Sequence, residues 1–193
     1  MNWAGLQHRI YEATKLAFKG LGEKYPSKDF YAYVLYTDSD AMSISPSANS
    51  MEDLNYKIGQ ELKDEEKTEE NIAYYRWASA EWAHEAGGGE FFKEINRDLR
   101  ESGDRSEFDT FKIKVLQAMT GALEQLVKDR FFHISTQARQ QHLTHTHRKK
   151  CWSSPSLKRL FPINACKEVG SNAYIKSQYL HRHRAAHQGL CPR

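Results

Sequence analysis

The side chains in this chain best suited to chemistry lie between residues 77 and 85. Trp77, Glu81, Trp82, His84 and Glu85 fall within nine positions. On a helix, Glu81 and Glu85 would stand one turn apart and face the same way. Paired carboxylates with a histidine beside them can move protons, so one reading is a small hydrolase-like or ligand-binding enzyme. No nucleophile, metal-ligand cluster or phosphate loop accompanies them, and His84-Glu85 lacks the second histidine of a zinc-protease helix. The simpler expectation is that the aromatic residues pack a core and its rim. The five residues are then a candidate binding surface, with no residue assigned as catalytic and no cofactor implied.

Other groups carry less. Asp38 and Asp40 bracket a turn, and two carboxylates fall short of the six or more oxygens that calcium takes. Gly87, Gly88 and Gly89 precede a helical pattern, where backbone N–H groups can hold an anion, but a nucleotide-fingerprint spacing is missing. Near the C-terminus His183, His187 and Cys191 recur every four residues, and His142, His145, His147 and Cys151 cluster upstream. Neither spacing matches a zinc finger, and there is no Cys-x-x-Cys pair. Arg148, Lys149, Lys150, Lys158, Arg159, Arg182 and Arg184, interleaved with Trp152, Phe161, Tyr174 and Tyr179, offer phosphate contacts and stacking surfaces for nucleic acid.

The charge is unevenly divided. The 193 residues sum to +3. Residues 1–127 hold 15 bases and 23 acids, a net of −8, whereas residues 128–193 hold 13 bases and 2 acids, a net of +11. The two parts need separate explanations. An α+β domain is expected over residues 1–132, and a basic extension with Cys and His over residues 133–193. Depletion of acids and loss of periodicity in the extension suit a disordered or non-native ending, of the kind a shifted reading frame produces. No apolar run is long enough to span a membrane, the N-terminus lacks a secretory pattern, and a cytoplasmic protein is expected.

The elements that position these residues start from the stretch FYAYVLYTDSDAMSISPSANS, residues 30–50. Phe30 to Thr37 reads as a buried strand, with Tyr31, Tyr33 and Leu35 on one face and Ala32, Val34 and Tyr36 on the other. Asp38 to Asp40 supplies a turn. Ala41 to Ser45 reads as the second strand of a hairpin, stopped by Pro46. Apolar spacing predicts helices over residues 3–21, from Ser50 onward, from Glu90, and from Phe108 to Leu126. Ser50 with Asp53, and Ser106 with Asp109, have capping-box spacing. The run ELKDEEKTEE reads as a solvated helix end or loop. Ile72 to Trp77 reads as a third strand, Ser79 to Glu85 as a short helix, and Phe131, Phe132 and Ile134 as the start of a last strand. The expected fold is a small, mostly antiparallel sheet packed with helices, followed by an irregular basic tail.

The hairpin, the RWASAEWAHE segment at Arg76–Glu85, the GEFFKEINRDL helix and the FDTFKIKVLQAMTGALEQL helix together resemble the bacterial domain-of-unknown-function 4303 family. The resemblance covers about residues 3–130 and is most specific in LYTDSDAMSISPSAN and in the pair Trp77 and Trp82. It implies a small, soluble, single-domain bacterial protein and supplies no catalytic residues to carry over. Family members end in a further strand and acidic residues, a pattern this chain leaves after about Phe132. An acidic, aromatic-rich domain without a catalytic constellation is expected to be a non-enzymatic interaction protein, one version being an immunity-type partner that binds a toxin.

Overall fold

A computed structural model describes residues 1–133 and the backbone of two further short strands, Cys166–Glu168 and Ala173–Ser177. The fold is α+β. Helix α1 (Trp3–Lys24) is followed by strands β1 (Phe30–Thr37) and β2 (Ile44–Ser50), helices α2 (Met51–Glu61) and α3 (Glu69–Trp77), and strand β3 (His84–Glu85). Helices α4 (Lys93–Glu101) and α5 (Phe108–Lys128) come next, then strands β4 (Cys166–Glu168) and β5 (Ala173–Ser177). The sheet order is β3-β2-β1-β5-β4. The β1–β2, β2–β3 and β4–β5 pairs are antiparallel and β1–β5 is parallel. The rest of the basic extension lies outside the described residues, and with it the disordered or shifted-frame reading.

One face of β1 lies over the main core. Leu35 and Tyr33 meet α1 through Ile10, Ala17 and Phe18, and α5 through Phe111, Val115, Met119, Leu123 and Leu126. The three- and four-residue steps along both helices place these residues on facing stripes. Phe132 closes the end of this layer, its ring 5.3 Å from Tyr33 and 6.2 Å from Phe18. Residues Phe131–His133 make a 3₁₀ turn, not the expected strand. Ile134 lies outside the described residues.

The expected alternation in β1 fails at one residue. Phe30 pairs with Ser50 and Ala32 with Asn49, so Tyr31 is an inserted residue in a bulge. A bulge leaves its extra residue unpaired and re-aims the side chain. Tyr31 therefore joins Ala32, Val34 and Tyr36 against Trp77 and Trp82, on the face opposite Tyr33 and Leu35.

The second strand also lies later than expected. Ala41 takes a left-handed backbone, φ 51°, in the turn, and β2 begins at Ile44. Pro46 sits inside it, opposite Leu35. It is tolerated because β3 pairs only with Ser47 and Ala48, which leaves the outer edge of β2 unpaired by strand at Pro46. The Asn96 side chain occupies that edge one step earlier. Its amide accepts from the Ile44 N–H at 2.7 Å and donates to the Ile44 carbonyl at 3.1 Å. The turn before it is fixed by Asp38, which accepts from the backbone N–H groups of Asp40 and Met42 and from the Ser43 hydroxyl. Lys112 and Arg105 donate to the carbonyls of Ser39, Asp40 and Ala41 from outside.

Other boundaries differ for local reasons. Helix α1 runs on to Lys24, past Gly20 and Gly22. Residues 69–77 form helix α3 rather than a strand, because Thr68 caps them by accepting from Asn71 N–H at 3.2 Å and Glu69 and Glu70 occupy the first turn. Ser79–Glu81 is a 3₁₀ turn, and His84 and Glu85 are in strand β3, not on a helix. The Ser106–Asp109 box is not formed. Gly103–Glu107 is a 3₁₀ turn capped by Ser102. The helix expected from Glu90 opens with a 3₁₀ turn, Gly89–Phe92, before α4.

Gly88 fixes the approach of that turn to α1. Its φ is 86°, and a Cβ there would stand 2.5 Å from the Ala17 Cβ. Gly20, by contrast, is helical with nothing within 4 Å of a built Cβ. Gly88→Ala is therefore expected to lower the stability read from urea unfolding by more than about 1 kcal/mol. Gly20→Ala should raise it by roughly 0.5–1 kcal/mol, since glycine costs that much inside a helix. Equal effects of the two would contradict this packing.

Candidate functional site

Strand β3 is two residues long, yet it divides the candidate surface. Successive side chains on a strand point to opposite faces. His84 pairs with Ala48 and Glu85 with Ser47. His84 therefore points toward the side of Phe30 and Tyr25, with ring centroids 5.3 and 4.7 Å away. Glu85 points toward the side of Tyr36 and the tryptophans.

His84 belongs to a half-buried polar knot. Its Nε2 is 3.0 Å from Asp53 Oδ2. The Lys28 ammonium donates to the other oxygen of Asp53. The Ser50 hydroxyl donates to Oδ2 at 2.6 Å while accepting from the Asp53 backbone N–H at 3.1 Å. One half of the capping box is thus present. The Asp53 carboxylate turns to Lys28, Ser50 and His84 and so fastens the entry to β1, the start of α2 and β3 together.

Electrostatics set the protonation of this knot. Burial alone would raise Asp53, but the hydrogen bonds from Lys28, Ser50 and His84 and the Lys28 charge outweigh it and hold the carboxyl below its ordinary range. Burial pushes His84 down. The bond to Asp53 opposes that shift, and the Lys28 and Lys24 charges add to it. Near neutral pH Asp53 is a carboxylate and His84 a neutral donor through Nε2–H. The hydroxyl of Ser50 bonds to Asp53 rather than to the imidazole, so no base activates it as a nucleophile. Lys28 and His84 have no local signal in the sequence that marks them as partners of Asp53. Only the Ser50–Asp53 spacing was visible.

The opposite face carries an aromatic network. The Tyr31 hydroxyl donates to the Arg76 carbonyl at 2.7 Å and accepts from Asn49 Nδ2 at 3.1 Å. The Trp82 indole donates to the same carbonyl at 3.2 Å. Trp77 and Trp82 both meet Tyr31 edge-on at 6.1 Å. Trp82 is buried and Trp77 half-buried. At the rim the Tyr36 hydroxyl donates to Glu85 at 3.3 Å. Burial and the adjacent carboxylate push Tyr36 up to about 12, so it stays a donor. Glu81 lies apart, paired at 3.3 Å with Lys57, which also holds Glu61.

The five candidate residues therefore fall into three environments. Trp77, Trp82 and Glu85 share the aromatic face, His84 is in the knot, and Glu81 is in the 3₁₀ turn after α3, paired with Lys57 of α2. Among the described residues no three His, Cys, Asp or Glu side chains are grouped to hold a metal. His183, His187 and Cys191 lie outside the described residues. Asp38 is committed to its turn. A surface cleft of about 440 Å³ between the start of α1 and α4 is lined by Asn2, Leu6, Arg9, Asp98 and Ser102. Arg9 and Asp98 neutralise each other there at 2.7 Å. Among the described residues no helix is long and apolar enough to cross a membrane.

Comparison with known families places these features. Residues 10–147 match the model of a domain of unknown function, DUF4303. The match spans most of the chain, and the protein belongs to that family. No curated protein and no solved structure matches it.

The knot makes a pH prediction. With His84 held below 6.5, the unfolded chain binds the proton more readily, so this contribution to stability is present above 6.5 and lost as pH falls through that region. Asp53, held below 3.8, loses its contribution only in stronger acid. The urea midpoint should fall more between pH 7 and pH 5 in the wild type than in His84→Gln. An identical fall in both would contradict the assignment.

Proposed function

We propose that this domain is a non-enzymatic protein-interaction module whose acidic surface receives a basic protein, of the kind an immunity protein offers to a toxin. The observation that carries the reading is where the acid lies. Residues 52–85 hold ten acids and four bases, a net of −6, which is most of the −8 of residues 1–127. Every residue from Lys63 to Glu70, the loop and the first turn of α3, is exposed. Tyr56 stands 71% exposed on α2 and Tyr74 38% exposed on α3, so aromatic side chains accompany the charge.

Such a surface speeds encounter with a basic partner and makes it salt-sensitive. Exposed tyrosines supply contact area at low conformational cost. The inner carboxylates do not compete for this role, since Asp53 is already bonded on three sides. The enzymatic alternative needs Glu81, His84 and Glu85 to act together, and their separation across three environments weakens it.

The test is capture of partners from the native host at rising salt, beside a variant carrying Glu61→Gln, Glu65→Gln, Glu66→Gln and Glu70→Gln. All four side chains are exposed, and an unchanged urea midpoint checks that α3, in whose first turn Glu70 lies, is intact. The expected result is a basic protein whose retention falls steeply with salt and by at least about tenfold in the variant. A partner that is acidic, or held equally by the variant, would contradict the proposal.

A further inference from the structure

We infer that residues 83–87 form a strap that His84 fastens at neutral pH and releases in mild acid. The strap is slung between two fixed points. Before it, Trp82 is 5% exposed and its indole donates to the Arg76 carbonyl. After it, Gly88 lies close against Ala17 of α1, and Phe92 is inaccessible. Between them Ala83, Glu85 and Ala86 are exposed and Gly87 is half-buried, so His84 is the one buried side chain of the strap. Only His84 and Glu85 pair with β2, and Ala86 holds a left-handed φ of 54°. A segment with so few buried contacts opens locally at low free energy, and a left-handed residue other than glycine adds strain.

The charges around His84 decide what mild acid does. From the end of α1 come Lys24 and Tyr25, from the following loop Lys28, from β1 Phe30, and from the start of α2 Ser50 and Asp53. Among these only Asp53 is negative, and its carboxylate already accepts from the Lys28 ammonium and the Ser50 hydroxyl. The Tyr25 ring, which could receive a cation, already has the Lys24 and Lys28 Nζ atoms 5.3 and 5.1 Å from its centroid. A proton on His84 therefore sets a second cation against one carboxylate, on a side chain that is 8% exposed. A buried charge without a counter-ion of its own is costly. Leaving the site returns the imidazolium to water. Burial and the two lysine charges, which hold His84 below its ordinary pKa, act in the same direction.

Release has a defined consequence. Glu85 leaves Tyr36, and β2 loses its cover at Ser47 and Ala48. Asp53 and His84 also stand near the two ends of the acidic segment 52–85, joined at 3.0 Å. Opening that bond frees the far end of the segment. Mild acid thus loosens the acidic surface, a consequence that rests on the interaction reading, whereas the strap itself does not.

The experiment is amide hydrogen exchange on the full chain at pH 7.5 and pH 5.5, corrected for intrinsic rates and repeated in rising low urea. The reporters are the Glu85 and Gly87 amides, bonded to the Trp82 and His84 carbonyls, against those of Val115 to Leu123 in α5. Glu85 and Gly87 are expected to exchange through an opening that urea does not change. Their corrected rates should rise about fivefold to tenfold at the lower pH, because a released histidine titrates near its ordinary value. In His84→Gln the rise should vanish. In Lys28→Gln it should reverse, since the Asp53 charge is then free for the imidazolium and acid tightens the strap. Three results would overturn the inference: exchange of Glu85 and Gly87 only together with α5, equal corrected rates at the two pH values, or a Lys28→Gln variant that loosens in acid as the wild type does. No partner is needed, so the outcome is separate from that of the capture experiment.

Discussion

A strand buried on both sides must find two different covers, and the Phe30–Thr37 strand does so by means of one inserted residue. Without the bulge, Tyr31 would point into the layer beneath α1 and α5, where Phe30 and Tyr33 already pack. With it, three aromatic side chains, Tyr31, Trp77 and Trp82, close the other face around a shared carbonyl of Arg76. The apolar layer and the polar aromatic layer are thus separated by a single backbone irregularity. Stability comes mainly from the first, where Leu35, Phe111, Val115, Met119, Leu123 and Leu126 are almost wholly inaccessible.

The edges of the sheet follow from the same constraint. An unpaired strand edge invites wrong partners. On the β2 side it is blunted by β3, by the missing N–H of Pro46 and by the Asn96 amide. On the other side β1 is covered by β5 in parallel register, Tyr33 with Ala173 through Thr37 with Ser177. The Lys28–Asp53–His84 knot then holds β3 against the start of α2. Its charges are internally matched, so it stiffens the domain and offers no free base.

Much of the architecture was legible from residue types. The stripes of α1 and α5, the strand at Phe30–Thr37, the Ser50 cap and the family resemblance all stand. What failed did so where short-range signals compete. The aromatic run IAYYRW has strand-like composition, yet Thr68 and two glutamates start a helix there, and only Ala73 of that helix is buried. Pro46 reads as a stop, but an edge position tolerates it. Glu81 and Glu85 look like one pair on a helix, whereas a 3₁₀ turn and a strand send them to different places. The bulge at Tyr31 has no sequence mark, since every residue around it suits a strand. The knot and the bonds of Tyr31 and Trp82 to the Arg76 carbonyl are contacts between elements, and no local pattern encodes them.

The central claim is a division of labour between the two faces of β1, apolar packing on one and a hydrogen-bonded aromatic network on the other. The most direct test takes one residue from each face, Leu35→Ala and Tyr31→Phe, and measures the urea midpoint of each. The account predicts that Leu35→Ala lowers stability by about 2–5 kcal/mol. It predicts that Tyr31→Phe, which strips the hydroxyl shared by Arg76 and Asn49, lowers it by about 1 kcal/mol. Equal losses in the two variants would contradict it.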